Sequence, residues 1–331
     1  MTVPPPPGAP VRLQVLPVDG IGEVGPGADL AALLAAAVEL HDGDVLLVTS
    51  KVVSKAEGRV RTGSREGLLA AETDRTLATR GRTSIVRTRH GLVMAAAGID
   101  ASNTEPGTVV LLPVDPDASA RALREDLGRA TGRNVAVLVT DTAGRAWRDG
   151  QTDIAVGAAG MQVLHDHAGA VDPHGNELAV TAPAVADELA AAADLVSGKL
   201  GRRPAAVARG LAVLVLPRGE HGPGAAALVR DEGHDMFGLG AREAVLAALH
   251  GTERRGFGTS APAADLVAAL TSLGGSAPVA GQDGTVTAVL SGDERARGGL
   301  QARLETAAFA LGWRPVGDVA SKLVRFEPAG P

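Results

Sequence analysis

The chain has 331 residues, 45% hydrophobic and 21% charged, a balance that excludes a disordered polymer and suffices for one large domain or two ordinary ones, each with a core. Aromatic residues make up only 2%, so Val, Leu and Ala must do the packing, and the absence of cysteine excludes disulfides, thiolate nucleophiles and thiolate metal sites. A formal net charge of -6 argues against general nucleic-acid affinity, which needs a basic surface to displace counterions from phosphates.

Residues 1–10, with four prolines from Pro4 to Pro7, read as a flexible or extended lead-in. They lack the basic region followed by an apolar stretch that a secretory signal needs, so a cytoplasmic location is expected. A strand is predicted over 11–18, broken by the glycine loop Asp19-Gly-Ile-Gly-Glu23. A helix follows near 29–40, then a turn at Asp42-Gly-Asp44, a buried strand over 45–48 and the start of a helix over 49–57. The apolar run 30–38 is too short to cross a bilayer, which takes roughly 20 residues.

Further along, the apolar segment 91–97 ends at Gly98-Ile-Asp100, and 108–112 reads as a strand. A helix is predicted over 118–131, a strand over 135–139 ending in Thr140-Asp-Thr-Ala-Gly144, and an amphipathic helix over 184–196 with the polar edge Asp187-Glu188. Another buried strand is expected over 211–216. After about Gly238 the loops become rich in Gly, Ser and Pro. Helices are predicted there over 242–250, 265–273 and 294–311, and strands over 285–290 and 323–326. The alternation implies α/β or α+β construction with a small C-terminal α/β unit, and no repeat of fixed period occurs.

The glycine loop aligns only loosely with a dinucleotide fingerprint, because Gly27 falls two residues after Gly25 and Pro26 sits where a helix should open. No Gly-x-x-x-x-Gly-Lys-Ser/Thr occurs either. Of the chain's four lysines, Lys51 and Lys55 stand four apart directly after a buried strand, each preceded by a serine. Such spacing puts both ammonium groups on one helix face, suited to phosphate, although a solvated helix face has the same pattern. Asp100 and Asp141 each end an apolar segment beside a hydroxyl residue, Ser102 and Thr142. Carboxylates in that position suit a hard cation bridging nucleotide phosphates, and two Asx turns would look alike. Arg145 and Arg148 follow, where they could neutralise a transferring phosphoryl group, hold a substrate carboxylate or simply form surface ion pairs. His165-Asp-His167 resembles a chelate but has no second cluster at ligand spacing.

Taken together these segments resemble the coenzyme F420-0:L-glutamate ligases, the F420 gamma-glutamyl ligases, over roughly residues 11–240. The resemblance is carried by the run from Asp42-Gly-Asp44 to Gly58, by Gly98-Ile-Asp-Ala-Ser-Asn103, by Thr140-Asp-Thr-Ala-Gly-Arg145 with Arg148, and by Ala186-Asp-Glu-Leu-Ala190 before Gly198. It implies GTP lying against Ile21, Gly22, Glu23 and Val24, with further contacts at Ser50, Lys55 and Asn103. It implies Mg²⁺ or Mn²⁺ held at Asp100, Asp141 and Thr142, with K⁺ as an optional further ion, and a catalytic role for Arg145 and Arg148. The implied fold is α+β with two domains in an intertwined homodimer, spanning 11–240, with 241–331 as a small α/β extension of open role. The implied reaction joins L-glutamate to coenzyme F420-0 at the expense of GTP, with no nucleic-acid or membrane partner.

Two departures from the family pattern matter. Gly198-Lys199-Leu200 offers no oxygen side chain where archaeal relatives carry a glutamine near the metal, and the tail is too short for the flavin-binding domain of mycobacterial relatives. Two competing readings are a nucleotide-binding regulatory protein without turnover, opposed by the joint presence of Asp100, Asp141 and Lys55, and a flavin or nicotinamide oxidoreductase, suggested by the glycine loop.

Overall fold

In the computed structural model the described residues are 12–178, 181–274, 276–317 and 322–330, so the lead-in at 1–10 lies outside them. The elements of the first part are β1 (Gln14–Pro17), α1 (Leu30–Ala37), β2 (Val45–Thr49), α2 (Ser50–Ala56), β3 (Val60–Thr62), α3 (Arg65–Glu72), β4 (Thr73–Arg80) and β5 (Thr83–Thr88). They continue with β6 (Val93–Ala95), β7 (Thr108–Val110), α4 (Pro116–Thr131), β8 (Ala136–Arg145), β9 (Arg148–Ala159), α5 (Val185–Ser197) and β10 (Ala205–Arg209). The architecture is mixed α+β, and the chain divides into two compact units, Met1–Val229 and Arg230–Pro331.

A five-stranded sheet in the order β1-β10-β2-β8-β9 organises the first unit. Its central strand β2 is continuously apolar because both of its faces are covered. Leu46 and Val48 pack with Val137 and Val139 against Leu34 of α1 and Ala120, Leu123 and Leu127 of α4. The alternate residues Val45 and Leu47 pack with Ala136 and Leu138 against Ala186, Leu189 and Ala193 of α5. Period-two alternation thus feeds two cores from one strand. β2 and β8 pair in parallel from Val45↔Ala136 to Thr49↔Thr140, while the remaining pairs of this sheet are antiparallel. A three-stranded sheet β4-β5-β6 and the pair β3-β7 accompany a smaller core of Val86, Ala97, Ile99, Val109 and Leu111.

The strand expected over 211–216 is instead a single helical turn, Ala212–Leu214, and the sheet takes β10 from the alanine-rich run before it. Pairing partners decide this. β10 is inserted between β1 and β2, where small side chains fit under α5, and Gly210 at φ 109 ends the strand with its Cα too close to the Arg12 carbonyl to carry a side chain. The more apolar run then passes Gly43, whose φ of 87 and missing side chain make room for Ala212.

The second unit contains α6 (Ala241–His250), α7 (Ala263–Ser272), β11 (Ser276–Ala280), β12 (Val286–Val289), α8 (Glu294–Ala310), β13 (Trp313–Val316) and β14 (Leu323–Pro328). Its antiparallel sheet runs β11-β12-β14-β13 and closes a core of Leu266, Leu270, Val286, Leu300, Leu304, Trp313 and Phe326. No helix among the described residues is long and apolar enough to cross a membrane.

Candidate active site

The parallel pair β2 and β8 delivers two polar residues side by side at its carboxyl end: Ser50, which opens α2, and Asp141, which continues β8. Ser50 is buried and donates its hydroxyl to Asp141 Oδ1 at 3.1 Å. Desolvation pushes the Asp141 carboxyl up to about 7; the Ser50 hydroxyl and the Thr142 backbone N–H oppose the rise, while nearby Asp153 and Asp100 add to it. Asp141 has no ion pair among the described residues. A buried carboxyl facing other acids without a cationic partner is a site short of positive charge.

Asp100 arrives from the other direction. It follows three consecutive residues in the left-handed region, Ala96 at φ 51, Ala97 at φ 54 and Gly98 at φ 70, a conformation that costs about 1 kcal/mol or more at each alanine. The backbone of Asp100 is then fixed to Val110 by a reciprocal pair of hydrogen bonds at 3.0 and 2.8 Å. Its carboxylate accepts from the Ser102 backbone N–H at 2.7 Å and the Ser102 hydroxyl at 2.9 Å, and it pairs with Lys51 Nζ at 2.6 Å. Burial alone would raise this carboxyl, but Lys51 and Ser102 together outweigh it and hold it below the ordinary carboxylate range.

Both lysines of α2 reach the loop that follows Asp100. Lys51 also donates to the Ser102 carbonyl at 3.0 Å and to its hydroxyl at 2.8 Å, so its three hydrogens are all engaged. Lys55 bridges Glu23 Oε1 at 2.5 Å and the Asn103 carbonyl at 3.2 Å. The expected nucleotide residues Glu23, Ser50, Lys55 and Asn103 are therefore joined by one helix turn. Val24 is buried and Ile21 packs on the core, anchoring the loop between β1 and α1, while nothing stands within 4 Å of a side chain built on Gly22.

Thr142 points its hydroxyl at a residue that sequence reasoning overlooked, donating to Asp153 Oδ1 at 2.7 Å. Thr140 donates to the other oxygen at 3.3 Å, and Lys199 Nζ lies 3.4 Å from Thr142 Oγ1. Burial raises the Asp153 carboxyl, with Thr142 and Thr140 opposing, Asp194 adding and Lys199 opposing. The register Thr142↔Asp153 is the only sequence-level route to this contact, and it requires recognising the β8–β9 hairpin. That hairpin turns at Ala146-Trp147, without an Asn-Gly or Asp-Gly signature, and Trp147 takes φ 62.

Arg145 and Arg148 are register partners at the exposed hairpin tip, where Arg145 donates to the Asp149 carbonyl at 2.9 Å. At about 3.3 Å per residue, Arg145 stands some 13 Å along the strand from Asp141, so the tip is set apart from the carboxylates. A cavity of about 580 Å³ between α1, α2 and α4, lined by residues such as Leu30, Val53, Glu57 and Ser119, shares no residue with the cluster.

The donor set fits a hard divalent cation. Asp100, Asp141 and Thr142 offer oxygen alone, and Asp141 lacks the compensating charge that a cation supplies. Among the described residues no three His, Cys, Asp or Glu side chains group into a metal shell.

A sequence model of the family described as F420-0:Gamma-glutamyl ligase matches residues 20–76 and 64–210, which include every residue of this cluster. The chain is 40% identical over 225 residues to the coenzyme F420:L-glutamate ligase of Archaeoglobus fulgidus, covering 61% of this chain and 90% of that protein. It is 41% identical over 246 residues to the enzyme of that name from Methanopyrus kandleri, covering 68% and 97% respectively. A third relative so named, from Methanothermobacter thermautotrophicus, is 38% identical over 224 residues, 60% of this chain and 89% of its own.

Proposed function

The chain belongs to the F420-0:gamma-glutamyl ligase family, and from that premise we propose that it joins L-glutamate to coenzyme F420-0 with GTP and a divalent cation. The observation that carries the reading is the pairing of Asp141, buried and short of positive charge, with Asp100 and a lysine-bearing helix turn at the carboxyl end of two parallel strands. Open sheets place ligands at such strand ends.

Asp100, Asp141 and Thr142 would hold Mg²⁺ or Mn²⁺, which when bound neutralises the charge of the phosphates and of the transferring group. The loop Ile21, Gly22, Glu23 and Val24, with Ser50, Lys55 and Asn103, would receive the nucleotide. In exchanging Glu23 or the Asn103 carbonyl for phosphate oxygens, Lys55 would keep its charge compensated. The γ-phosphoryl group of GTP passes to the terminal carboxylate of the substrate's lactyl phosphate arm, giving an acyl phosphate and GDP. The uncharged amine of glutamate then attacks the acyl carbon, forms the amide and expels phosphate, and its own proton is lost to solvent. Later glutamates would join through the γ-carboxylate.

This chemistry needs no protein nucleophile, in keeping with a chain that has no cysteine. The protein's contribution is alignment and charge. From the hairpin tip, Arg145 and Arg148 would hold anionic groups of the elongated substrate away from the transferring phosphoryl. A cytoplasmic homodimer completes the reading, with the second unit in an open role.

Incubation with F420-0, L-glutamate, GTP and Mn²⁺, followed by mass spectrometry, should reveal glutamyl additions to the precursor. Asp141→Asn should abolish them in a folded protein; turnover by that variant at the unaltered rate would remove Asp141 from the mechanism.

A further inference from the structure

Asp153 lies outside the residues assigned above, yet its contacts define what Thr142 can do. It sits on β9 directly opposite Thr142 of β8. Each of its carboxylate oxygens accepts from one threonine hydroxyl, Oδ1 from Thr142 at 2.7 Å and Oδ2 from Thr140 at 3.3 Å. Thr140 is buried and Asp153 partly so, which leaves little water to substitute for these bonds.

A hydroxyl has one hydrogen and two lone pairs. With its hydrogen committed to Asp153, Thr142 Oγ1 can offer only lone pairs elsewhere, and Lys199 Nζ at 3.4 Å approaches it as a donor should. A threonine is also stiff at χ1, so a strong bond at Oγ1 fixes the rotamer. The hydroxyl is thereby held in the state that a cation ligand requires, as an acceptor with its hydrogen turned away.

We propose that Asp153 is a positioning residue for the cation site, acting through Thr142 by taking its hydroxyl hydrogen and orienting its lone pairs. This rests on the functional reading above, in which Thr142 is one of the cation's ligands. Partners of this kind, one bond behind a ligand, typically alter metal affinity 10- to 100-fold when removed.

The test is Mn²⁺ binding to the full chain without substrates, followed by the electron paramagnetic resonance signal of the free ion. Asp153→Ala should weaken binding 10- to 100-fold, whereas Asp153→Asn, whose amide oxygen can still accept from Thr142, should recover most of it. Thr142→Val should weaken binding similarly, and adding Asp153→Ala to it should cause no further loss, because the path through Thr142 is already cut. Unchanged affinity in Asp153→Ala overturns the proposal. So does a further loss in the double variant, which would make Asp153 a ligand itself. Should Asp153→Ala not fold, the Asp153→Asn and Thr142→Val comparison carries the decision: loss of affinity in the first as large as in the second overturns the acceptor role. Absence of Mn²⁺ binding by the unaltered protein would instead defeat the cation reading itself, and glutamate addition by mass spectrometry reports on the ligase reading separately.

Discussion

Asp141→Asn should abolish ligation and yet stabilise the metal-free protein, and the size of that gain follows from burial. The carboxyl rises from 3.8 to about 7 on folding, chiefly because the charged form is desolvated. At about 1.4 kcal/mol for each factor of ten in proton affinity, the ionised carboxylate costs the folded state about 4 kcal/mol above pH 7. Because the folded protein binds this proton more tightly than the unfolded chain, the contribution is fully favourable below pH 3.8. It is then lost as pH rises through about 7. Asparagine keeps the volume without the charge. Urea denaturation of metal-free protein, followed by circular dichroism, should therefore show a stability gain of about 4 kcal/mol for Asp141→Asn at pH 8 and about 2 kcal/mol at pH 5. Mn²⁺ at about 100 times its Kd should narrow the difference at pH 8 by about 2.7 kcal/mol, by stabilising the unaltered protein alone, and reversal of the order requires more than about 1,000 times Kd. A variant destabilised to the same degree at both pH values would refute the desolvation argument.

The same raised carboxyl makes Mn²⁺ binding release a proton at pH 6, and calorimetry in buffers of different ionisation enthalpy should detect it in the unaltered protein but not in Asp141→Asn. Lys51→Met removes the ion pair and two further hydrogen bonds that hold the loop after Asp100, and should cost about 2 kcal/mol in urea denaturation; an unchanged midpoint would mean the loop is held otherwise. Gly157→Ala places a Cβ on the Pro116 carbonyl where α4 crosses β9, and thermal melting should show a loss of about 1–3 kcal/mol or more. Gly22→Ala meets open space and should melt as the unaltered protein does, which serves as its control.

Local signals carried a large part of this molecule. The apolar run of β2, the turn before it and the serine-lysine repeat of α2 place Ser50, Lys51 and Lys55 at a strand-to-helix joint, because burial on both faces and helical spacing each leave a mark within ten residues. Asp100 and Asp141 were likewise legible as carboxylates ending apolar segments. The helices α1, α4 and α5 and those of the second unit fall within a few residues of their expected bounds, since the Asp, Pro and Gly residues that start and stop most of them are written in the chain. The hairpin of β4 and β5 was not legible: its Thr- and Arg-rich strands hold few apolar residues and leave no apolar alternation to read.

Pairing between distant segments decided the rest. Whether 205–209 or 211–216 joins the sheet depends on which run fits between β1 and β2 beneath α5, and the less apolar run wins because it is small. Asp153 meets Thr142 only through the register of a hairpin whose turn has no signature, and that same hairpin carries Arg145 and Arg148 away from the carboxylates they neighbour in sequence. Residue type and spacing thus determined which chemical groups the site contains. Strand register, which no short stretch of chain encodes, determined which of them touch, and burial at the end of two parallel strands determined that Asp141, which has no ion pair among the described residues, is the carboxyl held up to about 7.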